Sequence, residues 1–261
     1  MKRDIIFLGC TSFSEQILIH LYSLDCNVKA VFSIPEHFSI SYSKELIKNY
    51  NYKNLSQISI NNKTDFFEIK TNKGERISDY KDQIKKYSPD IIIVAGWYFM
   101  IPKSVLEIPR LGTWGLHASL LPNYAGGAPL VWSLINGEKI TGVTLFKMES
   151  GVDNGDIIGQ DSFNISETDT IRTLLNKSLT SSKNLLTKFL NKSKILFKKQ
   201  NPDKIKVFPQ RKPEDGLIDW SDSVDKIDRF IRAQTKPYPG AWTIIHDKKV
   251  TIWDAKIEKN D

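Results

Sequence analysis

The sequence predicts an α/β chain: a doubly wound, mostly parallel sheet followed by a small C-terminal region of one helix and a β-hairpin. Three observations predict it. Short apolar runs rich in β-branched residues, such as Ile5-Ile6-Phe7-Leu8 and Ile91-Ile92-Ile93-Val94, read as strands, the second of them buried on both faces. Segments with apolar residues at helical spacing alternate with such runs, the pattern of βαβ units and a parallel sheet. The 261 residues suit one large α/β domain with a small appendage.

The elements follow in order. Residues 4–8 form the first strand, residues 9–12 a turn, and Ile17, Leu18 and Leu21 place a helix from Ser14 onward. Residues 28–34 form a second strand, and residues 39–50 read as a helix. The polar stretch 51–76 holds Phe66-Phe67 as a short strand, and 77–86 reads as a helix. Residues 90–95 are the central strand. Pro102 starts a helix to Leu106, because proline's fixed φ suits a first turn. A strand over 112–117 precedes the turn Gly126-Gly127-Ala128-Pro129 and a helix through Trp132 and Leu134. Strands over 141–146 and 156–163 flank a loop at 151–155. The clearest helix spans 166–190, capped by Ser166 or Thr168, with Ile171, Leu174, Leu175, Leu179, Leu186 and Phe189 on one face.

Composition then changes. Residues 1–191 are read as the main domain and 192–212 as a connector, rich in lysine, broken by Pro202 and Pro209 and lacking helical periodicity. Residues 213–261 form the C-terminal region, with a helix at 223–234 and a hairpin whose strands, 242–245 and 250–253, flank the turn His246-Asp247-Lys248-Lys249.

Hydrophobic residues make up 40% and charged residues 26%, which excludes a disordered acidic tail, a collagen-like chain or a coiled coil. No apolar run approaches the roughly 18 residues of a membrane span, and residues 5–8 are too short for the core of a signal peptide. Two cysteines, Cys10 and Cys26, cannot staple a chain of this size, so the expected setting is reducing and cytoplasmic, with no membrane partner. The net charge of +7 favours anionic partners, although the lysines are scattered among Asn and Ile on what read as solvated faces. No metal site is expected.

Two segments carry chemistry. One is His117-Ala118-Ser119-Leu120-Leu121-Pro122, followed by Gly126-Gly127-Ala128-Pro129. The other is Thr141-Gly142-Val143-Thr144, leading to Gly151-Val152-Asp153-Asn154-Gly155-Asp156. His117 ends a buried strand, at the sheet edge where open α/β folds bind ligands. Gly126 and Gly127 would let a flat ligand approach the backbone. Asp153 lies in a loop between strands. A His and an Asp meeting at one crevice can exchange protons near neutral pH. Taken singly, a strand-end His reads as a hydrogen-bonded structural residue and a Gly-Val-Asp-Asn-Gly loop as a turn. Their order and spacing, with Asp153 placed 36 residues after His117, are what distinguish them.

That combination resembles the formyltransferases that use 10-formyltetrahydrofolate. The resemblance extends upstream through Phe7-Leu8-Gly9, Ala95-Gly96-Trp97 and Ile101-Pro102-Lys103, and downstream through Asp219-Trp220-Ser221, Ile231-Arg232-Ala233 and Pro239-Gly240-Ala241. It implies transfer of a formyl group from the folate to an amine. His117 would stabilise the oxyanion or shuttle the proton, and Asp153 would orient and charge-stabilise it. By motif position Phe99, Met100 and Ile101, Leu121, Pro122, Asn123 and Tyr124, and Glu149, Ser150, Gly151, Val152 and Asp153 would line the pterin pocket. The sequence departs from the family at Gly115, where an Asn two residues before the His is usual, and at Ala125, where Arg is frequent.

The acceptor divides the family. Only 41 residues follow Trp220, which fits a helix and a hairpin better than the full C-terminal barrel associated with initiator methionyl-tRNA. The chain looks most like the nucleotide-sugar N-formyltransferases, in particular those acting on dTDP-4-amino-4,6-dideoxyglucose for surface polysaccharide such as O-antigen. A nucleotide sugar needs cations and a stacking surface. Arg211 and Arg232 are the candidates for its diphosphate, Trp97 and Tyr98 for walling the sugar, and the turn at Ser12-Phe13 for a phosphate or sugar contact. The expected partners are folate and a nucleotide sugar, without nucleic acid, and a second copy paired through the C-terminal hairpin. The alternatives are methionyl-tRNA formylation, a folate- or nucleotide-binding protein with weak catalysis, and hydrolysis of the formyl donor.

Overall fold

The computed structural model describes residues 2–40 and 45–258. Strand β1 (Arg3–Leu8) leads into α1 (Ser12–Ser23) and returns as β2 (Cys26–Ser33). A short antiparallel pair, β3 (His37–Phe38) and β4 (Ile47–Lys48), and α2 (Ser56–Asn61) precede β5 (Asp65–Glu68). Then come α3 (Lys81–Lys86), β6 (Ile91–Val94), α4 (Lys103–Leu106), β7 (Thr113–His117), β8 (Ala125–Gly126) and α5 (Pro129–Ile135). The chain continues through β9 (Ile140–Lys147), β10 (Ile157–Asn164), α6 (Ile171–Leu190), β11 (Val207–Phe208), α7 (Val224–Gln234), β12 (Ala241–Ile245) and β13 (Lys248–Ile252).

Seven strands form the main sheet in the order β10-β9-β7-β6-β1-β2-β5. The five from β7 to β5 are mutually parallel, and β9 runs antiparallel to both β7 and β10. The period-2 geometry of a strand explains the unbroken apolar runs. Ile5 and Phe7 of β1 pack on one face with Ile17, Leu18 and Leu21 of α1 and Leu185, Leu186 and Phe189 of α6. Ile6 and Leu8 pack on the other with Phe32, Phe38, Ile84 and Val105. In β6, Ile91 and Ile93 go to the first layer and Ile92 and Val94 to the second.

Strand order reverses between β1 and β6. The chain leaves β1 for β2 and β5 on one side, then crosses to β6 and β7 on the other. At such a switch point the loops beyond the strand ends diverge and leave a crevice. Here its floor is tied: Ser14 Oγ donates to the Ala95 carbonyl (2.6 Å) and Cys10 Sγ to that of Gly96 (3.1 Å).

Several expected elements are revised. Of the helix expected over 39–50, residues 41–44 lie outside the described residues, and the described remainder holds β4 and a turn. Buried Asn49 fixes that path by donating from Nδ2 to the Cys10 carbonyl (3.0 Å). Helix α2 carries a weak apolar pattern, and the segment 77–86 opens as a tight 3-10 turn before α3. Helix α6 starts at Ile171, with Thr170 rather than Ser166 or Thr168 as its cap, because Thr173 Oγ1 accepts from the Thr170 N–H (3.0 Å). The C-terminal hairpin turns on two residues, His246 and Asp247, not four. Both have positive φ (45° and 60°), and Ile245 pairs directly with Lys248.

Asp169 anchors the start of α6. Its carboxylate accepts from the Ser166 N–H (2.7 Å), Thr173 Oγ1 (2.7 Å) and Lys177 Nζ (2.5 Å). Burial pushes this carboxyl up, but the Lys177 ammonium and the Ser166 and Thr173 donors outweigh burial and bring it down to about 2. A depressed folded-state pKa stabilises the fold above the unfolded value, and that contribution disappears as pH falls through the folded value. The melting temperature should therefore drop between pH 4 and pH 2 more steeply in the wild type than in Asp169→Asn. Parallel thermal melts across that range check it.

Candidate active site

His117 is the last residue of β7, opposite Thr144 of β9. The loop that follows is bent back by groups from the antiparallel strands. Thr144 Oγ1 donates to the Ser119 carbonyl (2.6 Å) and accepts from the Leu121 N–H (3.0 Å). Gln160 Nε2, on β10, donates to the Leu121 carbonyl (2.8 Å) and to Thr144 Oγ1 (3.0 Å). Ser119 Oγ closes the turn on the Asn123 carbonyl (2.6 Å), and the Leu121–Pro122 peptide is cis.

This curl returns Tyr124 to the strand end. His117 Nε2 donates to the Tyr124 carbonyl at 2.7 Å, and a carbonyl only accepts, so Nε2 carries a proton. The other nitrogen, Nδ1, faces Asp153 Oδ2 at 3.5 Å, beyond an ordinary N–H···O distance. The two side chains are largely buried, 11% and 18% exposed, so their charges meet with little screening. When the ring holds a second proton, that proton lies at Nδ1, toward the carboxylate.

Asp153 is held from several directions. Its Oδ2 accepts from the Gly126 N–H (2.8 Å), and its backbone sits at φ 47°, sparsely populated for a residue with a side chain. The loop can fold this tightly because Gly155 lies against β9; a Cβ there would come within 1.7 Å of the Lys147 carbonyl oxygen. Gln200 Nε2 donates to the carbonyls of Asp153 (2.8 Å) and Gly155 (2.7 Å). Gln200 is one of the residues the sequence reading missed. It sits in a lysine-rich stretch with no periodicity to mark it.

The segments expected to line a pterin pocket meet around Met148. Ile101 and Phe99 belong to the apolar cluster that packs against it on one side, Leu121 and Phe146 to that on the other. Among the described residues, the main-chain groups of Phe99, Met100 and Ile101 and of Glu149, Ser150, Gly151 and Val152 make no hydrogen bond within the chain. Two loops with free donors and acceptors, one with apolar side chains, suit a flat polar heterocycle. Met100 is well exposed and Ile101 buried. The Tyr124 ring turns toward the connector instead: it stacks on Phe208 (4.6 Å), donates from its hydroxyl to Glu138 (2.6 Å), and with Asn123, Thr141 and Lys206 lines a surface pocket of about 290 Å³. Asn123 and Tyr124 thus serve the site through their backbone.

The expected contacts to a nucleotide sugar are redistributed. Arg211 lies over the rings of Trp132 (4.9 Å) and Phe230 (5.6 Å) and donates to the Asp215 carbonyl and Gln234 Oε1. Arg232 is paired with Asp228 (2.8 Å) and donates to the Asp169 carbonyl. Both guanidiniums join C-terminal elements to the main body, and any contact with a diphosphate would have to be shared with these partners. At the start of α1 the N–H groups of Cys10 and Thr11 go to Ser14 Oγ, that of Ser12 to the Asn51 carbonyl and that of Ser14 to Thr11 Oγ1. These four donors are spent within the chain; among the described residues the Phe13 N–H has no such partner, and the Ser12 side chain is exposed. Gly126 and Gly127 also serve the chain itself: a Cβ on Gly127 would meet Gln210 Cα at 2.4 Å, so these glycines admit the connector strand.

Trp97 and Tyr98 do stand beside the crevice loop. The Trp97 ring meets Phe99 edge-on (6.3 Å), and its Nε1 is buried without a hydrogen-bond partner among the described residues. Tyr98 donates from its hydroxyl to Asn49 Oδ1 (3.0 Å). Arg76, also missed from sequence, places its guanidinium over the Phe99 ring at 5.5 Å.

The Formyl transferase family matches residues 3–190, and the Formyl transferase C-terminal domain matches residues 211–261. The chain is 38% identical over 240 residues to the bifunctional polymyxin resistance protein ArnA of Wigglesworthia glossinidia brevipalpis, covering 90% of this chain but 36% of that protein. It is 32% identical over 263 residues to a methionyl-tRNA formyltransferase of Caldanaerobacter subterraneus, covering 97% of this chain and 80% of the relative. Among solved structures, the N-formyltransferase of Helicobacter canadensis in complex with folinic acid and dTDP-3-aminofucose superposes with a TM-score of 0.67 at 20% identity, over 96% of this chain and 86% of the other. The fold is shared at that distance, and the family match spans the strand end, the curled loop and the acidic turn that bring His117 to Asp153. The chain belongs to the formyl transferase family.

Proposed function

We propose that the protein moves a formyl group from 10-formyltetrahydrofolate to the amine of a nucleotide-linked amino sugar, with dTDP-4-amino-4,6-dideoxyglucose as the acceptor expected from sequence. The observation that carries the transfer chemistry is the His117–Asp153 pair at the end of β7, one strand from the switch point. Bound between the 99–101 and 149–153 loops, the folate would supply a formyl carbon open to attack by an amine. In that exchange the acceptor nitrogen loses one proton and the donor nitrogen gains one. The site therefore needs a group that accepts a proton and returns it. His117 Nδ1 is that group, since Nε2 is committed to the Tyr124 carbonyl. Asp153 faces Nδ1 and compensates the ring's charge while the proton resides there. The unbonded main-chain groups of the two loops would orient the pterin, and Arg76 puts a cation against the Phe99 wall.

The sugar acceptor is supported by the aromatic wall of Trp97, Tyr98 and Phe99, and by the fold shared with a neighbour whose structure holds dTDP-3-aminofucose. A second reading, methionyl-tRNA as acceptor, is favoured by the 32% identity to methionyl-tRNA formyltransferases. The C-terminal hairpin leaves Ile245 and Val250 exposed on one face and Ile244 on the other, and pairing with a second copy would cover one of these faces. Among the described residues no helix is long and apolar enough to cross a membrane; the proposed setting is cytoplasmic.

A mass-spectrometric assay with 10-formyltetrahydrofolate and a panel of dTDP- and UDP-linked 3-amino and 4-amino sugars tests the proposal. A folate-dependent gain of one formyl group on one sugar is the expected result. Gain on methionyl-tRNA alone would replace the sugar by the second reading. Folate binding with no transfer to either acceptor would overturn both acceptor readings and point to another amine or to the Gly115 departure.

A further inference from the structure

We infer that Gln200 is a positioning residue for the His117–Asp153 pair, delivered by a segment, residues 191–210, that lies outside both family matches. The inference rests on the reading that this pair performs the transfer. The segment was expected to lead away from the main domain. Instead it is stitched to the main body at two places. Lys198 and Ile157 exchange both backbone hydrogen bonds (2.8 Å each), and β11 pairs with β8, adding a bond from the Gly127 N–H to the Phe208 carbonyl (2.9 Å). Gln200 is two residues beyond the first stitch, facing the acidic turn.

Its amide does one thing there. Nε2 donates to the carbonyls of both Asp153 and Gly155, while Oε1 is buried with no hydrogen-bond partner among the described residues. A flipped amide would set its oxygen against two carbonyl oxygens, so the orientation is fixed by the turn itself. Two residues whose carbonyls converge on one donor cannot rotate independently. Asp153, at φ 47°, depends on such restraint to keep its carboxylate on the Gly126 N–H and toward His117. The same segment supports the other half of the pair, because Phe208 stacks on Tyr124, whose carbonyl receives the His117 Nε2 proton. Both ring nitrogens of His117 thus face groups backed by residues 200–208.

The test uses three variants of the full chain, each judged by kcat, by KM for both substrates, and by the ¹⁵N signals of the His117 imidazole without ligands. Gln200→Met keeps the length and removes the donors; kcat should fall by about 10- to 100-fold with KM nearly unchanged. Its imidazole signals should shift toward those of Asp153→Asn. Gln200→Lys restores a donor able to reach both carbonyls and should recover most of kcat; Gln200→Glu should not. Wild-type kcat and unshifted imidazole signals in Gln200→Met would overturn the inference, as would a rise in KM alone. If Gln200→Met fails to fold, the Lys and Glu variants decide: equal kcat and equal imidazole signals refute the role. The imidazole signals are read without turnover. A chain that transfers no formyl group therefore fails the functional proposal and leaves this arm standing on its own result.

Discussion

His117→Asn is expected to lower kcat for formyl transfer by about 10²–10⁴-fold, and Asp153→Asn by a comparable factor. The reasoning is geometric. Asn at 117 can still offer an amide near the strand end, yet it cannot accept and return a proton near neutral pH. Asn at 153 keeps an oxygen for the Gly126 N–H but loses the charge that faces Nδ1. The double variant should be little worse than either single one, because the two residues act as a unit and their effects are not additive. Both single variants should melt close to the wild type. Their partners are loops and neighbouring backbone, with no share in the two apolar layers. Near-normal turnover in either variant would remove that residue from the mechanism.

Gly115→Asn is the second large effect, and here structure changes what sequence implies. The family resemblance places a side-chain amide two residues before His117, so restoring Asn would be expected to raise the rate. The structure fills that space. Gly115 pairs with Phe146 across β7 and β9, and a Cβ at 115 would stand 2.7 Å from the Phe146 ring and 3.0 Å from Met148 Cγ. Phe146 is 2% exposed, walled by Leu121, Ala125 and Ile157, so the ring has little room to retreat. Gly115→Asn should therefore destabilise by about 1–3 kcal/mol and give no gain in rate. Gly115→Ala is the control, since it adds the Cβ without the amide. Urea unfolding and kcat measured for both separate overpacking from chemistry. An Asn variant clearly faster than the Ala variant would show that the amide reaches the reacting atoms despite the ring.

The parts legible in sequence were those whose cause is local. Unbroken runs such as 91–94 declare a strand covered on both faces, and the sheet places them so. His117 and Asp153 each stand in a short motif, the structure brings them together, and Thr144, named in one of those motifs, holds the loop after His117. What sequence could not show was who satisfies whom across long separations. Arg211 and Arg232 look like free cations in a linear reading, but their partners, Trp132, Phe230, Gln234 and the Asp169 carbonyl, arrive from distant elements. Glycines 126 and 127 announce a close approach without saying that the visitor is the chain's own strand β11. The buried amide of Asn49 likewise overrode a helical spacing by binding the Cys10 carbonyl.

The plugged start of α1 has a consequence for how recognition can change. In many nucleotide-binding α/β chains the open end of the first helix is a port in which main-chain N–H groups grip phosphate, so anion capture comes with the scaffold and no substitution can readily remove it. Here Ser14, Thr11 and Asn51 occupy those N–H groups at residues 10, 11, 12 and 14. Most of any grip on a charged acceptor would then fall to side chains around the crevice, with the Phe13 N–H the remaining main-chain donor of that turn. A change of acceptor preference would then call mainly for side-chain substitutions around the crevice and little change in this frame.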